Sequence, residues 1–422
     1  MNKVFKVIWN HATQTWTAVS ELGHAKGKTK SKKIVKLTAL AGAVIGSLAV
    51  SQTATAASDL TTNDAVNIAP NNVPNPTAGR HAVAVGGNAN AAKQDSIAIG
   101  TNSKASWTNT IAIGRDTNAT QDHAVAIGSN TTASGVQAVT VGSYSSATAN
   151  SVVAIGQESK AGGTGAGTAA VAVGYLANAS AANTVAAGKS ASASVDNAVA
   201  VGVQSNASAR TASALGAYAE ASAERATAVG AVAKATGEAS FAAGTGANAS
   251  GKNAVAIGGS MDGAETAKAQ GESAIAIGTN STAAAAHSTS IGTASKASAT
   301  QSIALGSIAK AQKDGSVAVG YNSTAAQKNS MALGFNAQSN HESSVALGAG
   351  SVTDDKHPFA NLEVAGKNYN FAGTKLDGVV SIGTKDKERQ IQNVGAGRIS
   401  KTSTDAINGS QLYAVADAVS NH

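Results

Sequence analysis

The chain has 422 residues, of which 31 are Lys or Arg and 24 are Asp or Glu, and its formal net charge is +7. Aromatic residues make up 3% of the sequence, proline occurs four times and cysteine is absent. These values exclude a disulfide-stapled domain and thiol chemistry, and they leave too few large side chains for an ordinary globular core.

The excess of positive over negative charge lies entirely in the first 56 residues. They contain eight lysines and one acidic residue, whereas the rest of the chain has 23 basic and 23 acidic residues. A basic protein would otherwise suggest a nucleic-acid partner, but no basic stripe with interleaved aromatic residues follows residue 56. We therefore expect no nucleic-acid binding and assign the excess charge to a leader.

Residues 1–56 are predicted to be an extended signal peptide. A lysine-rich stretch ends at Lys36, an apolar run extends from Leu37 to Val50, and Ala54-Thr55-Ala56 offers a small-x-small cleavage site. The apolar run is shorter than the ~20 residues that a membrane-spanning helix needs, so cleavage is favoured over a retained anchor. Residues 1–28 closely resemble the extended signal peptide region of Gram-negative autotransporters and other large secreted proteins. The resemblance implies export to the periplasm and onward to the cell surface.

A polar linker is predicted from residue 57 to residue 80. It contains Asn71, Asn72, Pro74 and Pro76, and Asn and Pro at this density are typical of turns and irregular chain. The repeats begin at about His81.

Residues 81–351 repeat one pattern nineteen times: a small residue, a branched apolar residue, a small residue, an aliphatic residue and glycine. Sixteen of the eighteen intervals between these glycines are fourteen residues, and the other two are eighteen and twenty. Fourteen residues are too few for a pair of helices and too many for one strand, so each unit is predicted to be one coil of a β-solenoid. With strands ~4.8 Å apart, nineteen coils would make a rod of roughly 90 Å. Glycine permits a bend at the same point of every coil, and the repeat glycines include Gly100, Gly114, Gly128, Gly258, Gly278 and Gly320.

Each repeat also predicts two different strand faces. The two aliphatic residues share one face, and the small residue between them lies on the other. We interpret the face that carries Ala84, Ala98, Ala112 and Ala126 as a flat outer surface that lets a sheet of another chain approach closely. Because one coil buries little apolar area, a single roll should be marginally stable in water. The sequence therefore predicts lateral association of several copies through the alanine face.

A transition or cap segment is predicted at residues 352–378. His357, Phe359, Tyr369 and Phe371 arrive here after an aromatic-poor body. An open solenoid end exposes unpaired strand edges, and we expect this segment to cover them.

Residues 379–419 closely match the neck of trimeric autotransporter adhesins of the YadA-like family. The pattern [ST]-[VI]-A-[VI]-G at fourteen-residue spacing likewise resembles the head of that family. The resemblance implies an all-β fold, a left-handed parallel β-roll of about nineteen coils, in a homotrimer, with a neck at 379–411 and a coiled-coil stalk that starts at 412–422. The neck residues that carry the match are Asn393, Gly397, Asp405, Asn408, Gly409, Ser410, Gln411 and Leu412.

The residues themselves also predict a helix at the end of the chain. Ser410 can cap a helix by accepting a backbone hydrogen bond, and Leu412, Val415 and Val419 recur at spacings of three and four, as in a coiled-coil seam. A short amphipathic tail fits this spacing equally well, and the resemblance favours the stalk. Family members continue into an outer-membrane barrel. We expect membrane attachment to depend on such an anchor beyond His422, and secretion if none follows.

No pattern in the chain indicates an enzyme, a metal site or a cofactor. The histidines are scattered, without a pair at metal-ligand spacing. In the family, head repeats of the form NSVAIGxxS are implicated in binding collagen and other extracellular matrix proteins. The nearest counterparts predict ligand contacts from Asp95, Ser96, Ser103, Ser316, Ser323, Asn329 and Ser330.

The same residues are explained equally well by folding of the coil. The favoured function is attachment to host cells or to matrix proteins of the collagen, fibronectin and laminin class. A structural spacer, or a protein of autoagglutination and biofilm formation, remains the alternative. An ice-binding solenoid would need threonines at one constant offset, and Thr101, Thr110, Thr117 and Thr131 do not all share one.

Overall fold

The computed structural model describes residues 5–10, 15–20, 65–69, 74–162, 169–260 and 265–420. The chain divides into two units, Met1–Ala54 and Thr55–His422. In the first unit, the strands Phe5–Asn10 and Thr15–Ser20 pair antiparallel as a hairpin. The predicted apolar run and cleavage site of the leader lie outside the described residues.

The second unit is a β-solenoid in which each coil contributes a strand of three residues and a strand of two, called here the long and the short strand. The long strands stack into one parallel sheet of 21 strands and the short strands into a second of 19. The long strands are Val66–Ile68, Val83–Val85, Ile97–Ile99, Ile111–Ile113, Val125–Ile127, Val139–Val141, Val153–Ile155, Val171–Val173, Val185–Ala187, Val199–Val201, Ser213–Leu215, Thr227–Val229, Phe241–Ala243, Val255–Ile257, Ile275–Ile277, Thr289–Ile291, Ile303–Leu305, Val317–Val319, Met331–Leu333, Val345–Leu347 and the two-residue Val380–Ser381. The short strands are Thr77–Ala78, Asn90–Ala91, Lys104–Ala105, Asn118–Ala119, Thr132–Ala133, Ser146–Ala147, Lys160–Ala161, Asn178–Ala179, Ser192–Ala193, Asn206–Ala207, Glu220–Ala221, Lys234–Ala235, Asn248–Ala249, Lys268–Ala269, Thr282–Ala283, Lys296–Ala297, Lys310–Ala311, Thr324–Ala325 and Gln338–Ser339. The predicted all-β parallel solenoid is confirmed.

Every coil keeps its register with the next. Val83 pairs with Ile97 and Ile97 with Ile111, each fourteen residues further on. Register survives the two longer intervals, because Val153 pairs with Val171 and Val255 with Ile275. The longer intervals therefore leave the ladder in phase on either side, as the sequence predicts.

The interior of the solenoid contains small side chains, and this corrects the predicted arrangement of faces. Ala84, Ala98, Ala112 and Ala126 are completely buried between the two sheets of their own chain. The flanking aliphatic residues point outward instead, and Ile99 keeps 36% of its surface exposed. The prediction of an outer alanine face was wrong. The sheet that packs against these alanines is the short-strand sheet of the same chain, and the narrow space between the two sheets leaves room only for small residues.

The ladder begins earlier than the predicted repeats. Val66–Ile68 pairs in parallel with Val83–Val85, and Thr77–Ala78 with Asn90–Ala91. Part of the predicted linker therefore forms a further coil. The pattern missed it because Ala69 stands where later coils have glycine.

At the other end, the neck covers the long strand of the last repeat coil, whereas the first residue of the predicted cap segment, Val352, bridges to Gln338 of the last short strand. Val380–Ser381 pairs with Val345 and Ala346. The preceding segment forms an antiparallel hairpin, Asn361–Val364 with Lys367–Asn370, whose residues are all exposed. A helix from Gly409 to Ser420 ends the described chain. No helix among the described residues is long and apolar enough to cross a membrane.

Candidate ligand-binding surface

The repeat glycines are required by the close stacking of coils. Gly320 has a φ of +126°, in the region that L side chains rarely adopt, and a Cβ added there would lie 2.5 Å from the carbonyl oxygen of Gly334. Gly258 and Gly278 have φ values of +132° and +121° and face the next coil in the same way. The same geometry recurs at Gly100, Gly114 and Gly128.

The structure places five of the candidate binding residues inside the coil. These residues are completely buried, and their hydroxyl groups donate hydrogen bonds to backbone carbonyls of their own bend. For example, Ser103 Oγ donates to Gly100 O at 2.9 Å, and Ser323 Oγ donates to Gly320 O at 3.0 Å. A ligand on the surface of the folded coil cannot reach them, so their role is to hold the bend. The five residues are Ser96, Ser103, Ser316, Ser323 and Ser330.

The other two candidates, Asp95 and Asn329, lie at exposed corners. Both adopt the left-handed conformation, with φ of +58° and +55°. Asp95 Oδ1 lies 3.3 Å from Nδ1 of His81, one coil earlier. Their side chains are accessible to a macromolecule, and their contact with a ligand remains a prediction.

Two columns of left-handed corner residues run along the rod, seven residues apart in sequence, and the repeat pattern did not reveal them. Asn88, Asn102 and Asp116 belong to one column, with φ between +55° and +58°. Their side chains form a ladder, because Asn88 Nδ2 donates to Asn102 Oδ1 at 3.2 Å and Asn102 Nδ2 donates to Asp116 Oδ1 at 2.9 Å. Asn and Asp tolerate this conformation better than other residues with a side chain. Their recurrence two residues after the repeat glycine was the available signal.

A polar groove of about 490 Å³ lies beside this ladder, at the N-terminal end of the rod. Its lining includes Asn75, Asn90, Lys104 and Asn118. The amide and ammonium groups suit hydrogen bonding to a polar ligand rather than burial of an apolar one.

The two outward faces of the rod differ in chemistry. The outward residues of the long-strand sheet are mostly Val, Ile and Leu, as in Val199 and Val201. The outward residues of the short-strand sheet are polar, as in Lys104 and Asn118. Of the two faces, the long-strand face is therefore suited to protein packing and the short-strand face to solvent or a charged ligand.

The neck helix is capped two residues earlier than predicted. Asn408 Oδ1 accepts from the backbone N–H of Gln411 at 3.4 Å, and Gln411 Oε1 accepts from the N–H of Asn408 at 3.1 Å. This reciprocal pair is a capping box, so Asn408 and not Ser410 is the cap. Ser410 lies in the first turn and donates to Asn408 Oδ1 at 2.8 Å.

Gln411 also holds the glycine-containing turn of the neck. Its Nε2 donates to Gly397 O at 2.6 Å, and its Oε1 accepts from the Gly397 N–H at 3.0 Å. Asn408 Nδ2 donates to Val394 O at 3.0 Å. Asn393 is a further left-handed residue, with φ of +62°, and Gly409 is the first residue of the helix. The apolar residues Leu412, Val415 and Val419 are exposed.

Among the described residues, no three His, Asp or Glu side chains are grouped so that they could hold a metal ion.

Three family models match the chain. The "Extended Signal Peptide of Type V secretion system" matches residues 1–50, and the "Coiled stalk of trimeric autotransporter adhesin" matches residues 390–422. The "YadA head domain repeat" matches more than half of the chain, at 78–103, 108–131, 133–159, 166–191, 179–205, 193–219, 207–233, 235–260, 269–295, 297–323 and 325–351.

The chain is also similar to named relatives over part of its length. It is 51% identical to Autotransporter adhesin BtaE of Brucella suis biovar 1 (strain 1330) over 73 residues, which are 17% of this chain and 10% of that protein. The C-terminal YadA-like domain of BPSL2063 from Burkholderia pseudomallei is 46% identical over 22% of this chain and 44% of its own, with a TM-score of 0.22. The collagen-binding domain of Yersinia adhesin YadA is 30% identical over 50% of this chain and 85% of its own, with a TM-score of 0.28.

The chain thus spans a tenth of the length of its curated relative. Its leader and its similarity to an autotransporter adhesin indicate export to the cell surface. The matches to the head repeat cover most of the solenoid. They place the chain among adhesins, which are not enzymes. The chain belongs to the family of YadA-like trimeric autotransporter adhesins.

Proposed function

We propose that this chain forms the trimeric head and neck of an adhesin that attaches a bacterium to host cells or to matrix proteins of the collagen, fibronectin and laminin class. The observation that carries the proposal is the division of the rod into one apolar face and one polar face. The first accounts for assembly and the second stays available for attachment.

Assembly is supported by the outward residues of the long strands. Ile155, Val201 and Leu347 expose 40%, 40% and 46% of their surface. Their column continues through nineteen coils, or roughly 90 Å at ~4.8 Å per coil. The largest apolar patch on a monomer usually covers a few hundred Å², so an apolar surface of this length is typical of an interface. Because the face lies on one side of each chain, a closed ring of copies around a common axis buries it. The matched stalk family supports three copies.

Attachment is supported by the repetition of exposed polar corners. Equivalent residues such as Asp95, Asn109 and His123 recur once per coil and would recur again on each of three chains. Weak contacts multiplied in this way produce avidity without a deep pocket. The 30% identity with the collagen-binding domain of Yersinia adhesin YadA makes collagen the first ligand to test.

The test uses the exported chain, verified as a trimer, on immobilised collagen, fibronectin and laminin and on host cells. Binding to at least one of them supports the proposal, and absence of binding across the panel contradicts it. The double variant Asp95→Ala/Asn329→Ala should weaken binding if the corners make the contact. Ser316→Ala is the matched control, because Ser316 is completely buried and its loss should lower stability and leave the affinity of the folded fraction unchanged.

A structural spacer without a host ligand is the second candidate. It is favoured by the burial of five residues of the binding motif, since that burial explains their recurrence by folding alone. A spacer predicts no binding on the panel and, for an autoagglutinating protein, clumping of cells that display it.

A further inference from the structure

The first residue of every short strand points away from the coil interior and forms one straight column along the rod. In all but two coils a buried alanine follows while the first residue is exposed or half-buried, as at Lys234–Ala235 and Lys296–Ala297. The exceptions are the half-buried Ala78 and the buried Ser339. Towards the C-terminal end of the head, this column becomes rich in lysine. We call Lys234, Lys268, Lys296 and Lys310 the lysine stripe.

The register of the short-strand sheet fixes the spacing of the lysine stripe. Asn248 separates Lys234 from Lys268, and Thr282 separates Lys268 from Lys296. Lys296 and Lys310 lie on adjacent coils. At ~4.8 Å per coil, the four ammonium groups are distributed over roughly 24 Å of a straight line.

The lysine stripe has no carboxylate partner among the described residues. Glu220 stands next to Lys234 in the same column, one coil earlier, but no ion pair joins these two described residues. Glu238 pairs elsewhere, since it lies 3.0 Å from Arg225 and 3.2 Å from Lys252. The outward residues two positions after the stripe are uncharged, for example Gln270 and Ser298. Folding alone gives no reason to align like charges without partners, because they repel one another.

The geometry favours a linear polyanion without stacking bases. Lysine binds sulfate and phosphate as a point charge, which suits a repeating anion of variable orientation. Single-stranded nucleic acids are held by aromatic platforms as well as by charge, and neither the stripe nor the column beside it contains an aromatic residue. A sulfated polysaccharide needs only the line of positive charge.

We propose that the lysine stripe binds a linear sulfated polysaccharide of the glycosaminoglycan class, laid along the short-strand face. The inference rests on the proposed function in one respect, because packing of the opposite, apolar face leaves this face outward in the assembled head. Three copies would present three parallel stripes.

The test is binding of the exported, trimeric chain to heparin at several salt concentrations. The variant Lys234→Gln/Lys268→Gln/Lys296→Gln/Lys310→Gln should lose at least tenfold in affinity at 100 mM salt. The slope of log K against log salt should fall by about 3 per bound stripe, by analogy with phosphate neutralisation. The control variant Lys93→Gln/Lys160→Gln/Lys189→Gln/Lys328→Gln removes the same charge from scattered positions, and its affinity should change less than twofold. Thermal unfolding of both variants checks that the rod is intact.

Further arms separate the possible sources of negative charge. Fully desulfated heparin and hyaluronan, which carries only carboxylates, should bind at least tenfold more weakly than heparin. Equal losses of heparin affinity in the two lysine variants would overturn the proposal. Binding of double-stranded DNA as tight as that of heparin would also overturn it, as would a verified trimer that does not bind heparin at low salt. Matrix-protein binding by the same samples separates the two proposals. A stripe variant that loses heparin binding but keeps matrix-protein binding supports both proposals. Heparin binding by a chain that binds no matrix protein supports only the proposal for the lysine stripe.

Discussion

Arg398 and Asp405 form a two-pronged ion pair in the neck. Arg398 Nε lies 2.8 Å from Asp405 Oδ2, and Nη2 lies 3.1 Å from Oδ1. The Arg398 N–H donates to the same carboxylate at 3.3 Å. These contacts close the segment just before the capped helix, so the pair helps to set the direction in which the chain leaves the solenoid.

This pair predicts a pH dependence of neck stability. Hydrogen bonds from the Arg398 side chain and backbone hold the pKa of Asp405 below its ordinary value. A lowered pKa in the folded state contributes stability that is present above the ordinary carboxyl pKa and is lost as the pH falls through the folded value. Asp405→Asn should therefore lower the melting temperature of the neck at pH 7 and lower it by less at pH 2. An equal effect of the substitution at both pH values would contradict this role of the pair.

The repeat glycine predicts a large cost for a single methyl group. Gly320→Ala places a Cβ 2.5 Å from the Gly334 carbonyl oxygen at a φ of +126°, and strain of this kind costs on the order of 1–3 kcal/mol or more. Gly395→Ala is the control, because nothing lies within 4 Å of the added atom. Hydrogen exchange should become faster in the coils around residue 320 and stay unchanged in the control. Equal protection in both variants would show that the coils are not stacked this closely.

Two β-branched aliphatic residues occupy left-handed corners and predict stabilising substitutions. Ile308 and Val232 have φ of +62° and +57°, a conformation that is unfavourable for branched side chains. Ile308→Asn should raise stability in urea by about 0.5–1 kcal/mol, since Asn already serves at the equivalent Asn322, with φ of +52°. Asn322→Ile should have the opposite sign. Destabilisation by Ile308→Asn would mean that the apolar contacts of Ile308 outweigh its backbone strain.

The capping box predicts unequal effects of two neighbouring substitutions. Asn408→Ala removes the acceptor for the Gln411 N–H and should cost about 0.5–2 kcal/mol of helix stability. Ser410→Ala should cost only a few tenths of a kcal/mol, because Ser410 lies inside the first turn. Circular dichroism of the trimeric chain during thermal unfolding measures the difference. A larger loss from Ser410→Ala would restore Ser410 as the cap.

The period of the sequence was enough to predict the solenoid, because Val83, Val85 and Gly86 recur in phase and define a strand and a bend. It was not enough to predict which face lies inside. Alternation separates Ala84 from its neighbours but does not say which side is buried. Larger apolar residues are usually interior, but the two sheets of this solenoid lie so close together that only small side chains fit between them.

The candidate site was predicted less well for a related reason. Ser103 and Ser323 occupy buried positions that take only small residues, with Ala89 and Ala309 at equivalent places, and a recurring residue in a repeat is as readily structural as functional. Asn88 and Asn102 share their column with other residue types such as Tyr144 and Ile308, so the recurrence of Asn was only a partial signal of the shared left-handed conformation. The neck match, in contrast, singled out Asn408 and Gln411, and the structure shows that both hold the turn.

Sedimentation equilibrium of the exported chain and its face variants tests the central claim, which is that the outward aliphatic column holds several copies together. We expect the wild-type chain to sediment as a trimer. Ile257→Asp with Ile291→Asp should shift it towards monomer, because these side chains are 37% and 38% exposed in the single chain and would be buried in the assembly. The control Lys160→Asp with Lys296→Asp, on the opposite face, should remain trimeric. A wild-type monomer, or a trimer that survives the aspartates at Ile257 and Ile291 unchanged, would contradict the account.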